Sequence, residues 1–137
     1  MADTFTSAER SRIMAAVKSR DTTPELIVRR VLHGLGYRYR LNVHTLPGCP
    51  DLVFPSRRKI ILVHGCFWHG HRCRRGRRLP KTRASYWRAK ITGNVARDRR
   101  NVRTLKRLGW QTCVVWECHT TTKKISALTT RLTHFLA

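Results

Sequence analysis

The stretch KIILVHGCFWHGHRC, residues 59–73, decides the fold. It opens with the unbroken apolar run Ile60, Ile61, Leu62 and Val63, the composition of a buried strand. It then sets three histidines, two cysteines and the pair Phe67-Trp68 within residues 64–73. Metal-binding residue types, histidines suited to proton transfer and two large aromatics therefore crowd one loop at the end of that strand.

Upstream, residues 7–19 carry Ile13, Met14 and Val17 among basic residues, which suits a short basic helix. In DTTPELIVRRVLHGLG, Thr23 serves as a cap and Pro24 fits the first helical position. Leu26, Ile27, Val31 and Leu32 make an apolar stripe, and Gly34 or Gly36 ends the helix. Tyr37, Tyr39 and Leu41 alternate as a strand does. LPGCPD is a turn feeding a short strand over residues 52–54, and residues 55–58 read as a hairpin loop. Downstream, RRGRRLPKTR is irregular and basic. A long helix covers about residues 85–108, with Gly109 ending it; residues 110–116 form a third strong strand and residues 123–135 a last helix. The order ααβββ-αβα predicts one α/β domain over residues 1–137, a mixed sheet with helices on both faces.

Charge narrows the function classes. The chain has 29 Lys and Arg against 7 Asp and Glu, a formal +22, a surplus that repels itself unless an anionic partner relieves it. Nucleic acid is the leading partner, because every phosphate neutralised releases a condensed counterion. No amphipathic membrane helix stands out, and no run approaches the about 18–20 apolar residues of a span. MADTFTSAERSR has no apolar signal-peptide core. The five cysteines then read as thiols or metal ligands, and a soluble cytosolic protein is expected. No isologous apolar helix face is obvious, so a monomer is expected.

Cys66-x4-His71-x-Cys73 is not the common zinc spacing. It gains weight from Cys118, which lies just past the strand over residues 110–116, as Cys66 lies just past the strand over residues 59–63. If these strands are parallel neighbours, Cys66, His71, Cys73 and Cys118 meet at one sheet edge as a closed Cys3His zinc tetrahedron. Such a site would pin a loop with little core of its own. Cys113, inside the strand, suits the core; Cys49 has no evident role.

Seven acids make each one informative. Asp3 and Glu9 lie near the start, Asp21 suits a helix cap, and Asp98 faces a field of arginines, leaving Glu25, Asp51 and Glu117. A metal-dependent phosphodiesterase needs carboxylate oxygen to hold Mg²⁺ against the scissile phosphate. Asp51 is the best candidate, although a turn aspartate bonding its own backbone explains the same spacing. Pro50-Asp51 followed by a strand resembles the first half of the PD-(D/E)xK nuclease core. Here Val63 stands at the acidic position and Gly65 at the lysine position. The main-chain carbonyl of Val63 is the available substitute ligand, with His64 or His69 handling the proton.

Taken together, LPGCPD, VHGCFWHGHRC, KTRASYW, NVARDRRN and GWQTCVVWEC resemble, over about residues 7–136, the Vsr family of bacterial very-short-patch mismatch endonucleases. The block HGCFWHGHxC is specific to that family. The resemblance implies a restriction-endonuclease-like α/β core with a structural zinc. It implies a Mg²⁺-dependent nick 5′ to the T of a T:G mismatch left by deamination of 5-methylcytosine, in a bacterial protein paired with a cytosine-5 DNA methyltransferase and associated with the nucleoid. It makes Asp51 and the Val63 carbonyl Mg²⁺ ligands, His69 the general base, His64 the support of the scissile phosphate, and Glu25 a carboxylate near the metal waters. Cys66, His71, Cys73 and Cys118 match the zinc ligands. The family usually has Thr at Val63 and a basic residue at Cys49.

In that setting Phe67 and Trp68 are a wedge driven between base pairs, and a mispaired step is the easiest to open. The resemblance adds Trp87 to this major-groove wedge, brings Met14 in from the minor groove within the DNA-contacting residues 1–20, and gives Lys90 and Asn94 contacts to the mismatched pair. Trp110 and Trp116 suit core packing. Two alternatives share the charge, zinc and wedge: a nickase relaxed in its choice of mismatch, and a zinc-stabilised DNA-binding protein without catalysis.

Overall fold

The computed structural model describes residues 22–137; the basic helix expected over residues 7–19, with Met14, lies outside the described residues. Helix α1, Thr23–Gly34, is capped by Thr22 rather than Thr23, the Thr22 hydroxyl accepting from the Glu25 N–H at 3.4 Å. Pro24 then occupies the first turn, where its missing N–H costs nothing. Val28 and Leu32 are the buried apolar positions, and Gly36, at φ +85°, turns the chain out.

Strand β1 is only Arg40–Leu41, shorter than the Tyr37-Tyr39-Leu41 alternation predicts. Tyr37 and Tyr39 meet Phe54 edge to face at 6.4 and 6.0 Å, so their spacing reflects ring packing rather than a ladder. Asn42, at φ 46°, ends the strand. Next come β2, Leu52–Phe54, a 3-10 turn at Pro55–Arg57, and β3, Lys59–His64. A four-residue helix α2, Arg74–Arg77, interrupts the basic stretch expected to be irregular. Helix α3 is Ala84–Arg107, β4 is Gln111–Trp116 and α4 is Ile125–Leu136. Arg58 of the turn reaches the end of α3, donating to the Leu108 carbonyl at 2.7 Å while its guanidinium lies over Trp110.

The sheet runs β1-β2-β3-β4, the first two pairings antiparallel and β3 against β4 parallel. Helices cover both faces, as the element order predicts. On one face α1 and α4 bring Val28, Leu32, Leu128 and Leu132 onto Leu52, Phe54, Ile61, Val63, Cys113 and Val115. On the other, Val53, Ile60 and Leu62 pack with Leu105 of α3 and Trp110. Cys113 and Trp110 are core residues, as expected. The β3–β4 register sets His64 opposite Trp116, so Cys66 and Cys118, each two residues further on, leave the sheet side by side.

Candidate active site and metal centre

The parallel ladder delivers the cysteine-histidine set. Ligand atoms of Cys66, His71, Cys73 and Cys118 all lie within 4.8 Å of one another, and Cys118 Sγ is 3.6 Å from His71 Nδ1. A tetrahedral zinc, with bonds of about 2.3 Å to sulfur and about 2.0 Å to nitrogen, has edges of about 3.5–3.8 Å. The donor set therefore fits such an ion after a small contraction. Burial pushes the Cys66 thiol up to about 12, with Cys73 and Cys118 adding to it, and burial likewise raises that of Cys118, where Cys73 adds and the hydrogen bond with Cys66 opposes. A bound divalent cation reverses that balance by favouring thiolates. The loop is held from outside as well: Glu117 accepts from the Cys66 N–H at 3.3 Å, and the Gly76 N–H reaches Cys73 Sγ at 3.4 Å.

Asp51 sits where β2 begins. Its Oδ2 accepts from the Val63 N–H at 2.7 Å, across the point where the ladder to β3 has ended. A strand residue sends its N–H and C=O to the same edge, so the Val63 carbonyl is carried on the side of Asp51. Glu25 of α1, 3% exposed, lies against Asp51 and also pairs with Arg29 at 3.2 Å. Burial, reinforced by the charge and hydrogen bond of Glu25, pushes the Asp51 carboxyl up to about 7 despite the Val63 hydrogen bond. Two carboxylates held together away from solvent are a donor set for a hard divalent cation.

His64 and His69 are stacked, with centroids 4.0 Å apart and planes within 4°. His64 is buried and its Nδ1 has no hydrogen-bond partner. Burial first, then the neighbouring His69 charge, lower its pKa to about 4, so it is neutral at pH 7. His69 Nδ1 is 2.5 Å from Asp98 Oδ2, a partner that the field of arginines around Asp98 does not predict. Asp98 is the only acid of α3, and that isolation was the available signal. A cavity of about 740 Å³ opens beside the pair, with Trp116, Arg99 and Arg103 among its walls; Asp51 does not line it.

The aromatics divide. Phe67 and Trp68 are half-buried and meet edge to face at 5.0 Å. Trp87, which the resemblance adds to the wedge, is buried against them in the free chain, its ring 5.9 Å from Phe67 and 6.0 Å from Trp68. Asn94 donates to the Trp68 carbonyl at 2.8 Å, and Lys90 is exposed. Trp116, expected in the core, is half-buried and stacks on His71 at 4.2 Å. Cys49, unassigned from sequence, meets His44 Nδ1 at 3.3 Å.

Paired carboxylates, a histidine pair braced by an aspartate and a strongly basic chain are the equipment of a DNA-cleaving enzyme. Comparison with known proteins gives the family. The family model described as DNA mismatch endonuclease Vsr matches residues 2–75. The type II nicking enzyme V.XorIIP of Xanthomonas oryzae pv. oryzae is 48% identical over 136 residues, covering 99% of this chain and 98% of that protein. The DNA mismatch endonuclease Vsr of Escherichia coli K12 is 44% identical, with coverage of 86% and 75%. The type II nicking enzyme V.NmeAIP of Neisseria meningitidis is 41% identical, with coverage of 91% and 89%. The chain belongs to the Vsr family of DNA mismatch endonucleases. Among the described residues, no helix is long and apolar enough to cross a membrane.

Proposed function

We propose that this protein nicks DNA 5′ to the T of a T:G mismatch produced by deamination of 5-methylcytosine, beginning very short patch repair beside a cytosine-5 DNA methyltransferase. The observation that carries the reading is one short loop. His64 and His69 bracket Phe67 and Trp68, so the candidate proton-transfer groups and the candidate wedge move as one piece beside Asp51.

Mg²⁺ bound by Asp51 and the Val63 carbonyl would supply charge stabilisation at the scissile phosphate. With His69 Nδ1 engaged by Asp98, its Nε2 is the nitrogen left to take a proton from the attacking water. His64, neutral and stacked behind it, supports the phosphate, and Glu25 orients water beside Asp51. Phe67 and Trp68 open the mispaired step, Trp87 buttresses them from behind, and Lys90, Asn94 and Met14 complete the contacts to DNA. Asn94 serves the wedge as well, through its bond to the Trp68 carbonyl. Zinc on Cys66, His71, Cys73 and Cys118 keeps the loop in one shape, on a restriction-endonuclease-like core. We take the protein to be a monomer of the bacterial cytoplasm, acting at the nucleoid.

The test is incubation with Mg²⁺ and matched duplexes containing T:G, other mismatches or T:A, with Asp51→Ala and a chelator as controls. A single nick 5′ to the mismatched T, absent with T:A and lost in Asp51→Ala, is expected. Nicks at other mismatches would make the enzyme a relaxed nickase; binding without any nick would leave a DNA-binding protein.

A further inference from the structure

We infer that Trp116 is a positioning residue that transmits the shape of the cysteine-histidine centre to the His64–His69 pair. The inference rests on the reading of those histidines given above. Four ring contacts form one chain. His71, a member of the metal-ligating set, stacks on Trp116 at 4.2 Å with planes 18° apart. The indole then meets His64 edge to face at 5.2 Å and His69 at 6.5 Å. His64 and His69 complete the series as a parallel stack at 4.0 Å.

The backbone fixes the middle of that chain. Trp116 is the ladder partner of His64 across parallel strands, and its N–H is held by His119 Nδ1 at 3.2 Å. The indole therefore cannot slide along the sheet; the freedom left to it is rotation, and the ring of His71 lies over its face. A metal bond at His71 Nδ1 would fix that ring in turn. On the histidine pair the restraints are complementary: Asp98 holds His69 by its Nδ1, and the indole meets both rings in T-shaped contacts. Without the indole, nothing comparable among the described residues joins the His71 ring to that stack. A displacement near 1 Å of a group that handles a proton lowers turnover about 100-fold, so this bracing bears on rate more than on affinity.

Three variants test the inference: Trp116→Leu, Trp116→Phe and His71→Cys, the last keeping four metal donors while removing the ring on the indole face. Each is measured for zinc content, affinity for a T:G duplex, single-turnover nicking at saturating DNA, and the imidazole NMR resonances of His64 and His69. Trp116→Leu is expected to keep wild-type zinc content, to bind DNA within about threefold of wild type and to nick about 30–100-fold more slowly, with Trp116→Phe restoring most of the rate. The His64 and His69 resonances are expected to shift in Trp116→Leu and, in the wild type, when zinc is chelated. A full rate in Trp116→Leu with zinc retained overturns the inference. So does equal loss of zinc and rate in both Trp116 variants, or a wild-type histidine pair indifferent to chelation. Should Trp116→Leu not fold, His71→Cys decides: zinc retained with slowed nicking supports the chain of rings, and zinc retained with unchanged nicking overturns it. Unfolding of both makes the indole a plain structural residue and ends the proposal. A wild type that nicks no duplex sinks the functional reading alone, since the resonances still report the coupling.

Discussion

Alternate residues of β3 enter two different environments. Ile61 and Val63 turn toward α1 and α4 into a cluster made almost wholly of aliphatic side chains and Phe54. Ile60 and Leu62 turn toward α3, where the apolar cluster is smaller and gives way at the strand end to His64, His69, Asp98 and Trp116. A small basic protein thus keeps its proton-handling groups apart from most of its aliphatic core. Polar groups are costly to bury unless paired, so the histidines are braced at the end of one face while the other supplies cohesion, and the one buried carboxylate on α1, Glu25, is held by Arg29 and lies against Asp51. The bracing is incomplete: among the described residues, His64 Nδ1 and Trp87 Nε1 are buried without a partner, both of them away from the aliphatic face.

The sharpest way to break this division is to alter the two sides separately and find that they respond alike. Asp51→Asn keeps an acceptor for the Val63 N–H and removes the charge beside Glu25. Nicking is expected to fall by at least about 10³-fold, about 4 kcal/mol of barrier, with the melting temperature unchanged or raised. Melting far below wild type would show that the carboxylate site carries the fold. Leu132→Ala is the converse. Leu132 is fully buried on the aliphatic face, and its truncation is expected to remove about 2–5 kcal/mol of stability in urea titration. The nick rate of the folded variant at saturating DNA should stay within about twofold, for the cavity lies across the sheet from the histidines.

Asp98→Asn acts on the histidine side alone. The amide oxygen still accepts from a His69 Nδ1–H but no longer stabilises a protonated ring. Turnover is expected to drop about 10–100-fold, a part of the about 10²–10⁴ that a general base contributes. DNA affinity and urea midpoint should barely move. A change in affinity alone would place Asp98 in recognition and return His69 to an open question.

Sequence and structure agree where the physics is local, or where one assumption about pairing suffices. The apolar run before His64, the length of α3 and the meeting of Cys66, His71, Cys73 and Cys118 follow from periodicity together with a parallel β3–β4 pair. The isolation of Asp98 on α3 marks it, but its partner is not legible, because His69 lies 29 residues away and the contact depends on how α3 packs on the loop. Trp116 was misjudged for a related reason: a tryptophan at a strand end looks like core until the ladder sets a histidine opposite it. Trp87 shows a different gap, since its place in a motif does not tell that its ring lies buried against Phe67 and Trp68 in the free chain. The short β1 has a purely steric origin, two tyrosines spaced for Phe54 rather than for a ladder.

The smallest expected effect separates the cysteines. Cys113 is 8% exposed within the aliphatic cluster, whereas Cys66, Cys73 and Cys118 crowd the centre at the sheet edge. Burial raises the Cys113 pKa above the ordinary thiol value near 9, against a weaker pull downward from Arg131. A raised thiol pKa means that at pH 8 the native side chain holds less thiolate than free cysteine, and thiolate is the reactive form. The group's contribution to stability is then complete below pH 9 and declines as pH rises beyond it, because the unfolded chain loses that proton first. Cys113→Val, close in volume and apolar, is therefore expected to change stability by less than about 1.5 kcal/mol and to leave nicking and zinc content at wild-type values. In the wild type stripped of zinc, a thiol reagent at pH 8 should label the half-buried Cys73 and Cys118 well before the buried Cys66 and Cys113, read by peptide mass. Equal labelling rates would mean that removing the metal opens the aliphatic face too. The two faces would then be one cooperative unit, and the division drawn from β3 would describe packing but not stability.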